Sequence, residues 1–276
     1  MPKIKSFCKA CKESFSVDGP ISEEALQRVL TLLDEIRPSD VGLEQEAQIA
    51  CNWNNPTCAT NGETEPNGTN QCPPIEYLPI HECESFSMAI FCMPPSSVMP
   101  LHDHPGMTVL SKLLYGKMHA ESYDWADVND QIEQFQGRPA KVVRDCEMSE
   151  PQTTVLFPDR GGNIHTFRAI TPCAVFDVIS PPYVAGVSRD CSYFRKSSVN
   201  EPPGNLKSTV STMYAYCCTG TELFICLLFF SFASNMLALL SGDVNSPEVV
   251  WLEELPDHQP PEGFNATKGA YKGPVI

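Results

Sequence analysis

The chain has 276 residues, 42% of them hydrophobic and 19% charged, with a formal net charge of −15. That length allows one sizeable core with a tail or an insert. The acid excess excludes nucleic acid as a partner, since engaging phosphates needs a basic face, and it suits a cationic partner such as a peptide with a free amino group.

Met1–Ala10 carries no apolar signal core, which argues against secretion. The thirteen cysteines are odd in number, and Cys83, Cys92 and Cys173 sit in or beside strand-like apolar runs. They read as reduced, buried thiols rather than a disulfide framework. Cys8-x-x-Cys11 has no evident second pair to complete a zinc site and reads as structural. The glycosylation sequons at Asn67 and Asn265 read as unused outside the secretory route.

The first predicted element is a helix capped by Ser22, with Glu23 and Glu24 in its first turn and Pro38 marking its stop. Leu26, Val29, Leu30, Leu33 and Ile36 share one face, so this helix packs against something. Asn52–Asn70, rich in Asn, Thr, Gly and Pro, reads as a flexible loop. From Ile75 to Tyr183 the pattern becomes strand-like, in the runs Ser85–Cys92, Met107–Leu114, Lys117–Tyr123, Thr153–Phe157 and Ala174–Ile179. Pro and Gly clusters separate them, and no useful helical period appears. Short strands at this spacing predict an all-β sandwich or barrel with N-terminal helices.

Only six histidines occur: His81, His102, His104, His119, His165 and His258. In His102-Asp103-His104, alternate residues of a strand would project two imidazoles to one side, where they can share a metal. His165 follows the turn Pro158–Ile164 and is the best third ligand. His81 and His119 read as structural and His258 as an ordinary surface residue. Asp177 lies in the apolar run Ala174–Ile179, where a carboxylate is unfavourable unless paired. It either holds a substrate amine or orients a ligand histidine, or serves as a buried structural acceptor. Tyr183 either points its hydroxyl at the metal pocket or packs.

His102-x-His104, Gly116 and Pro158-x-x-Gly161-Gly162-x-x-His165 resemble the two motifs of the cupin barrels, a double-stranded β-helix or jelly roll. Where typical cupins place a glutamate ligand, this chain has Thr108 and Val109. Three neutral imidazoles leave a metal its full charge and open positions, which favours an anionic thiolate beside O2. Three-histidine cupins of this kind resemble thiol dioxygenases. The run Pro94–Gly116, with Arg37–Leu43, Gly161–His165, Ser180–Tyr183 and Tyr271–Ile276, is similar to the plant cysteine oxidases, over roughly residues 1–207 and 247–276.

That resemblance implies an Fe(2+) enzyme that uses O2 to convert the N-terminal cysteine of a protein to cysteine sulfinic acid. The product is a degradation signal, so the enzyme acts as an oxygen sensor, expected in cytoplasm and nucleus. The family also carries an acid at the place of Asp177, and Cys191 and Tyr193 resemble family positions near the pocket. A dioxygenase of free cysteine or cysteamine is a second reading, and a non-catalytic metal-binding cupin a third.

From Ser208 to Ser246 the resemblance stops. Leu223–Leu240 is nearly all apolar, but Ser208–Ser246 contains no Lys or Arg, so basic flanks for a membrane span are absent. The stretch reads as translated intron or another gene-model artefact rather than a membrane segment. The expected plan is a helical segment at 1–50, a flexible loop at 51–74, a cupin core at 75–207, the anomalous insert at 208–246, and a C-terminal strand segment at 247–276 that closes the barrel.

Overall fold

The computed structural model describes residues 1–16, 19–53, 74–126, 137–184, 186, 189–197 and 248–276. The expected loop Asn52–Asn70 from Asn54 onward, and the apolar stretch Ser208–Ser246 including Leu223–Leu240, lie outside the described residues. Among the described residues no helix is long and apolar enough to cross a membrane. The chain divides into two compact units, one of Met1–Asp124, Val143–Phe194 and Leu255–Ile276, the other of Trp125–Val142 and Arg195–Glu254.

The first unit begins with three helices, α1 (Lys3–Ser14), α2 (Glu23–Asp34) and α3 (Glu44–Cys51). The sequence reading expected a helical segment over 1–50 and delineated α2 within it. Ser22 accepts from the Ala25 amide as its cap, and Leu26, Val29 and Leu33 form its buried face. α1 buries Ile4, Phe7, Cys8 and Cys11, an i, i+3, i+4, i+7 stripe. The Cys-x-x-Cys motif is therefore part of a helix's packing face, and burial pushes both thiols up from their ordinary value.

The five predicted strand runs all become strands: β2 (Ser87–Met93), β4 (Thr108–Tyr115), β5 (Lys117–Trp125), β7 (Gln152–Leu156) and β9 (Cys173–Ser180). Beside them stand β1 (Ile75–Glu82), β3 (Val98–His102), β6 (Arg138–Ser149) and β8 (Ile164–Ala169). Three short strands close the sequence: β10 (Phe194–Lys196), β11 (Val249–Glu254) and β12 (Ala266–Lys268). One sheet has the order β12-β1-β2-β9-β4-β7, antiparallel except for the parallel pair β1 and β12. In the other, β8 pairs antiparallel with both β3 and β5. This is the all-β, cupin-type double-stranded β-helix with N-terminal helices that the sequence predicts.

The first sheet is buried on both faces, which explains its almost continuous apolar runs. Leu110, Leu114, Ala174, Phe176 and Val178 share a core with α1 and α2, and the Phe7 and Phe176 rings meet edge-on at 5.8 Å. Leu113, Val175 and Met93 point the other way, into a core shared with Met118, Ala120 and Ala169 of the second sheet. Gly116 turns the chain between β4 and β5 at a φ of +86°, and a Cβ there would fall 2.1 Å from the Pro172 carbonyl oxygen. Gly42, at φ +77°, packs against Lys272–Gly273, so the Arg37–Leu43 and Tyr271–Ile276 motifs meet. In the second unit, β11 pairs antiparallel with Arg138–Lys141 of β6, and Arg195 meets Glu253 at 2.7 Å.

Lys112, buried on the helix-facing side of β4, donates to the carbonyls of Leu33 (2.9 Å) and Asp34 (2.7 Å). A cation there adds a charged donor to two carbonyls at the C-terminus of α2, the Leu33 one already accepting from the Ile36 amide, and complements the helix dipole. Lys112→Met is expected to lower unfolding free energy by about 1.5–3 kcal/mol, because the two carbonyls lose a charged donor from a buried side chain. Urea unfolding checks this, and a loss below about 1 kcal/mol would mean that water reaches them.

Candidate metal centre

His102 is the last residue of β3, and antiparallel pairing sets it directly opposite His165 of β8. The sequence reading had His102 and His104 at alternate positions of one strand, and the structure corrects this. His104 lies beyond the strand, in the turn with Pro105 and Gly106. Its backbone is held instead by the buried Asn163 side chain, which accepts from the His104 amide and donates to the His104 carbonyl, both at 2.9 Å. The rings still converge, with centroids 4.9 Å (His102–His104), 4.7 Å (His102–His165) and 5.0 Å (His104–His165) apart. One ring nitrogen from each lies within 4.8 Å of the others.

The hydrogen bonds fix which nitrogens face inward. A carbonyl can only accept, so the 2.8 Å contact of His102 Nδ1 with the Pro100 oxygen puts the proton on Nδ1. Tyr183 donates its single hydroxyl proton to the Asp103 carbonyl (2.5 Å), so it must accept from His104 Nδ1 at 2.6 Å. Both rings therefore present an unprotonated Nε2. His104 Nε2 is buried without a hydrogen-bond partner, a position that costs free energy unless a ligand takes the lone pair. Desolvation depresses all three imidazoles, His104 and His165 well below the usual histidine value with the neighbouring rings adding to the effect, while backbone hydrogen bonds partly oppose it at His102. The triad is thus neutral and ready to coordinate at neutral pH. These donors fit a divalent metal. The place of the usual cupin glutamate is filled by Thr108, at the start of β4, and by Val109, buried with Met107 and Leu156.

The three histidines, Asp177 and Tyr183 line one cavity with the apolar walls Phe91, Met93, Met99, Phe167, Val175 and Ile179. Its volume is about 50 Å³, and a water needs roughly 10–15 Å³ by this measure, so it admits a small side chain and little else. Asp177 is the one carboxyl among the lining residues. It is buried on the inner face of β9, where burial raises it to about 6 and a hydrogen bond from Ser111 partly opposes that rise. Among the described residues its Oδ1 has no partner. A buried carboxyl among apolar walls can accept hydrogen bonds from a positively charged group.

Tyr183 lines the cavity, but its hydroxyl proton is spent on the Asp103 carbonyl, so it acts by orienting His104. Tyr193 bridges to His102 through the backbone, and Cys191 hydrogen-bonds both Tyr183 and Tyr193. Burial pushes the Cys191 thiol up to about 11, so it stays protonated. The remaining histidines stay away from the cavity. His81 packs on Phe86, His258 meets the Ser192 hydroxyl at 3.0 Å, and His119 meets Asp145 at 3.0 Å in a partly exposed group with Glu121.

Sequence reasoning missed Asn163 and Asp124. Asp124 accepts from the amides of Gly161 (2.9 Å), Gly162 (2.8 Å) and Asn163 (3.0 Å), tying the turn that delivers His165. Asn163 carried one signal, a polar residue between Gly-Gly and a ligand histidine. Asp124, at the end of an ordinary strand run, carried none.

The PCO_ADO family model matches residues 32–276. The chain is similar to "Plant cysteine oxidase 1" of Arabidopsis thaliana, 35% identical over 277 residues, covering 99% of this chain and 80% of that one. "Plant cysteine oxidase 2" of the same plant is 41% identical over 196 residues, 69% of this chain and 65% of that one. The human "2-aminoethanethiol dioxygenase" is 29% identical over 191 residues, 62% and 65% of the two chains. Among solved structures, an RmlC-like cupin protein from Desulfovibrio desulfuricans covers 44% of this chain and 97% of its own at 16% identity and a TM-score of 0.30.

Proposed function

We propose that this chain, which belongs to the PCO_ADO family of thiol dioxygenases, oxidises the N-terminal cysteine of protein substrates to cysteine sulfinic acid. The observation that carries the reading is one small cavity that joins three inward-facing imidazoles to a buried carboxyl with a free oxygen. An N-terminal cysteine offers two groups on the same residue, a thiol and an ammonium, joined through Cβ and Cα. The histidines and Asp177 supply partners for both.

In this reading His102, His104 and His165 hold Fe(2+), and iron bound there supplies the redox chemistry that lets O2 react with a thiolate. The balance is R–SH + O2 → R–SO2H, with both oxygen atoms reaching sulfur and O2 taking the four electrons that sulfur gives up, so no external reductant is needed. The chain's own residues do the rest. Pro100 and Tyr183 keep His102 and His104 in the tautomer whose Nε2 faces the cavity. Asp177 holds the ammonium, so that the thiol enters toward the triad. Phe91, Met99, Phe167 and Ile179 exclude water around the reacting sulfur. A sulfinic acid on a protein N-terminus serves as a degradation signal, which makes the enzyme an oxygen sensor working in cytoplasm and nucleus.

Iron content and oxygen uptake are measured with a Cys-initiated peptide, free cysteine and cysteamine in parallel. The expected result is one iron per chain and one O2 consumed per peptide, with both atoms in the product and the peptide preferred. Faster turnover of free cysteine or cysteamine than of any peptide would replace this reading by the small-thiol one.

A further inference from the structure

The inner face of the first sheet is apolar at Val109, Leu113, Val175 and Ile179, but one polar row crosses it. Asp177 on β9, Ser111 on β4 and Thr154 on β7 stand directly opposite one another in register. Ser111 is buried and donates to the Asp177 carboxyl. Ser111 also lines a second, smaller recess, together with Thr154, Ser122, the partly buried Arg144 and His165. Asp177 faces the metal-site cavity and Ser111 walls the recess. A carboxyl on a strand can turn about its side-chain bonds unless a partner fixes it. The Ser111 hydroxyl is such a partner for Asp177.

We infer that Ser111 is a positioning residue that keeps the Asp177 carboxyl aimed into the metal-site cavity and thereby sets the affinity for thiols bearing a free amine. The inference rests on the amine-binding reading of Asp177. A short serine hydroxyl suits the place because it spans the strand spacing without filling the recess. Threonine keeps the hydroxyl, and the recess has room for its extra methyl.

The test uses iron-loaded protein and a Ser-initiated peptide, which has the amine but no thiol to oxidise, against the same peptide N-acetylated. Ser111→Ala is expected to weaken binding of the free-amine peptide by about tenfold, the scale of one hydrogen bond to a charged group. It should leave the acetylated peptide unchanged. On a Cys-initiated peptide the KM rises by a similar factor while kcat stays within about twofold. Ser111→Thr restores both, and Ser111→Cys, nearly isosteric with a weak donor, behaves as the alanine variant and stands in for it if that fails to fold. If Ser111→Ala keeps the amine preference while Asp177→Asn loses it, Ser111 does not position the carboxyl. If neither variant changes the preference, the amine-binding reading of Asp177 itself falls.

Discussion

His104→Ala is expected to strip the metal from the protein and abolish thiol oxidation while leaving a folded chain. Removing one of three imidazoles leaves two protein ligands, too few to retain a divalent ion against buffer. The fold should survive because His104 lines a cavity and its Nε2 has no partner among the described residues. Tyr183→Phe offers a graded comparison. It removes the hydroxyl that accepts from His104 Nδ1 but keeps the ring, so metal affinity should drop by about 10–100-fold, as for other partners of ligand histidines. His119→Ala should keep full metal content, since that ring pairs with Asp145 away from the cavity. Metal analysis and oxygen uptake on the three variants read this directly. Full occupancy in His104→Ala would show that the triad is not the metal site.

The polar contacts of this site divide by whether their cause is local. His102, His104 and His165 stood out because spacing and turn residues act within a few positions, and metal ligation then joins two such stretches. The strands were legible for the same reason, since β4 and β9 are buried on both faces and therefore read as continuous apolar runs. His104 shows the limit of that logic. Alternation along a strand would have brought the rings together, but β3 stops at His102, and Asn163 from another loop supplies the missing register. The Asp124 contacts with Gly161, Gly162 and Asn163 join positions 37 to 39 residues apart and leave no pattern in either stretch. α1 was legible by period, its stripe of Ile4, Phe7, Cys8 and Cys11 being regular, but two of its four members are cysteines and drew attention as chemistry instead. Ser111 illustrates the same difficulty from the other side. Inside Met107–Leu114 it reads as a single polar interruption, and only the pairing of β4 with β9 sets it against Asp177.

Asp177→Asn is expected to cost most of the turnover on a Cys-initiated peptide and, in the metal-free protein, to raise stability at alkaline pH. In the folded chain burial raises the Asp177 carboxyl to about 6, against an ordinary value of 3.8. Between these two values the native state holds a proton that the unfolded chain has released. Stability of the parent protein therefore falls as pH rises from about 4 to about 6, and the full penalty is present above 6. A shift of about two units corresponds to about 3 kcal/mol. Asparagine carries no charge, so its advantage over aspartate should grow by about that amount between pH 4 and pH 8 and then level off. Its amide brings an offset of about 1–3 kcal/mol if one donor stays unpaired, but that offset does not depend on pH. Chemical unfolding of both proteins across that range, after chelation, isolates the slope. The metal is removed because a divalent cation nearby would favour the carboxylate and mask the penalty. In the iron-loaded enzyme the metal holds the carboxyl lower than in the metal-free chain, so the KM of the parent should begin to rise only as pH falls below about 6, while the asparagine variant shows no such rise. A variant that loses activity without gaining alkaline stability, or that loses its iron, would make Asp177 a structural acceptor rather than a charge retained at the expense of stability for binding the substrate amine.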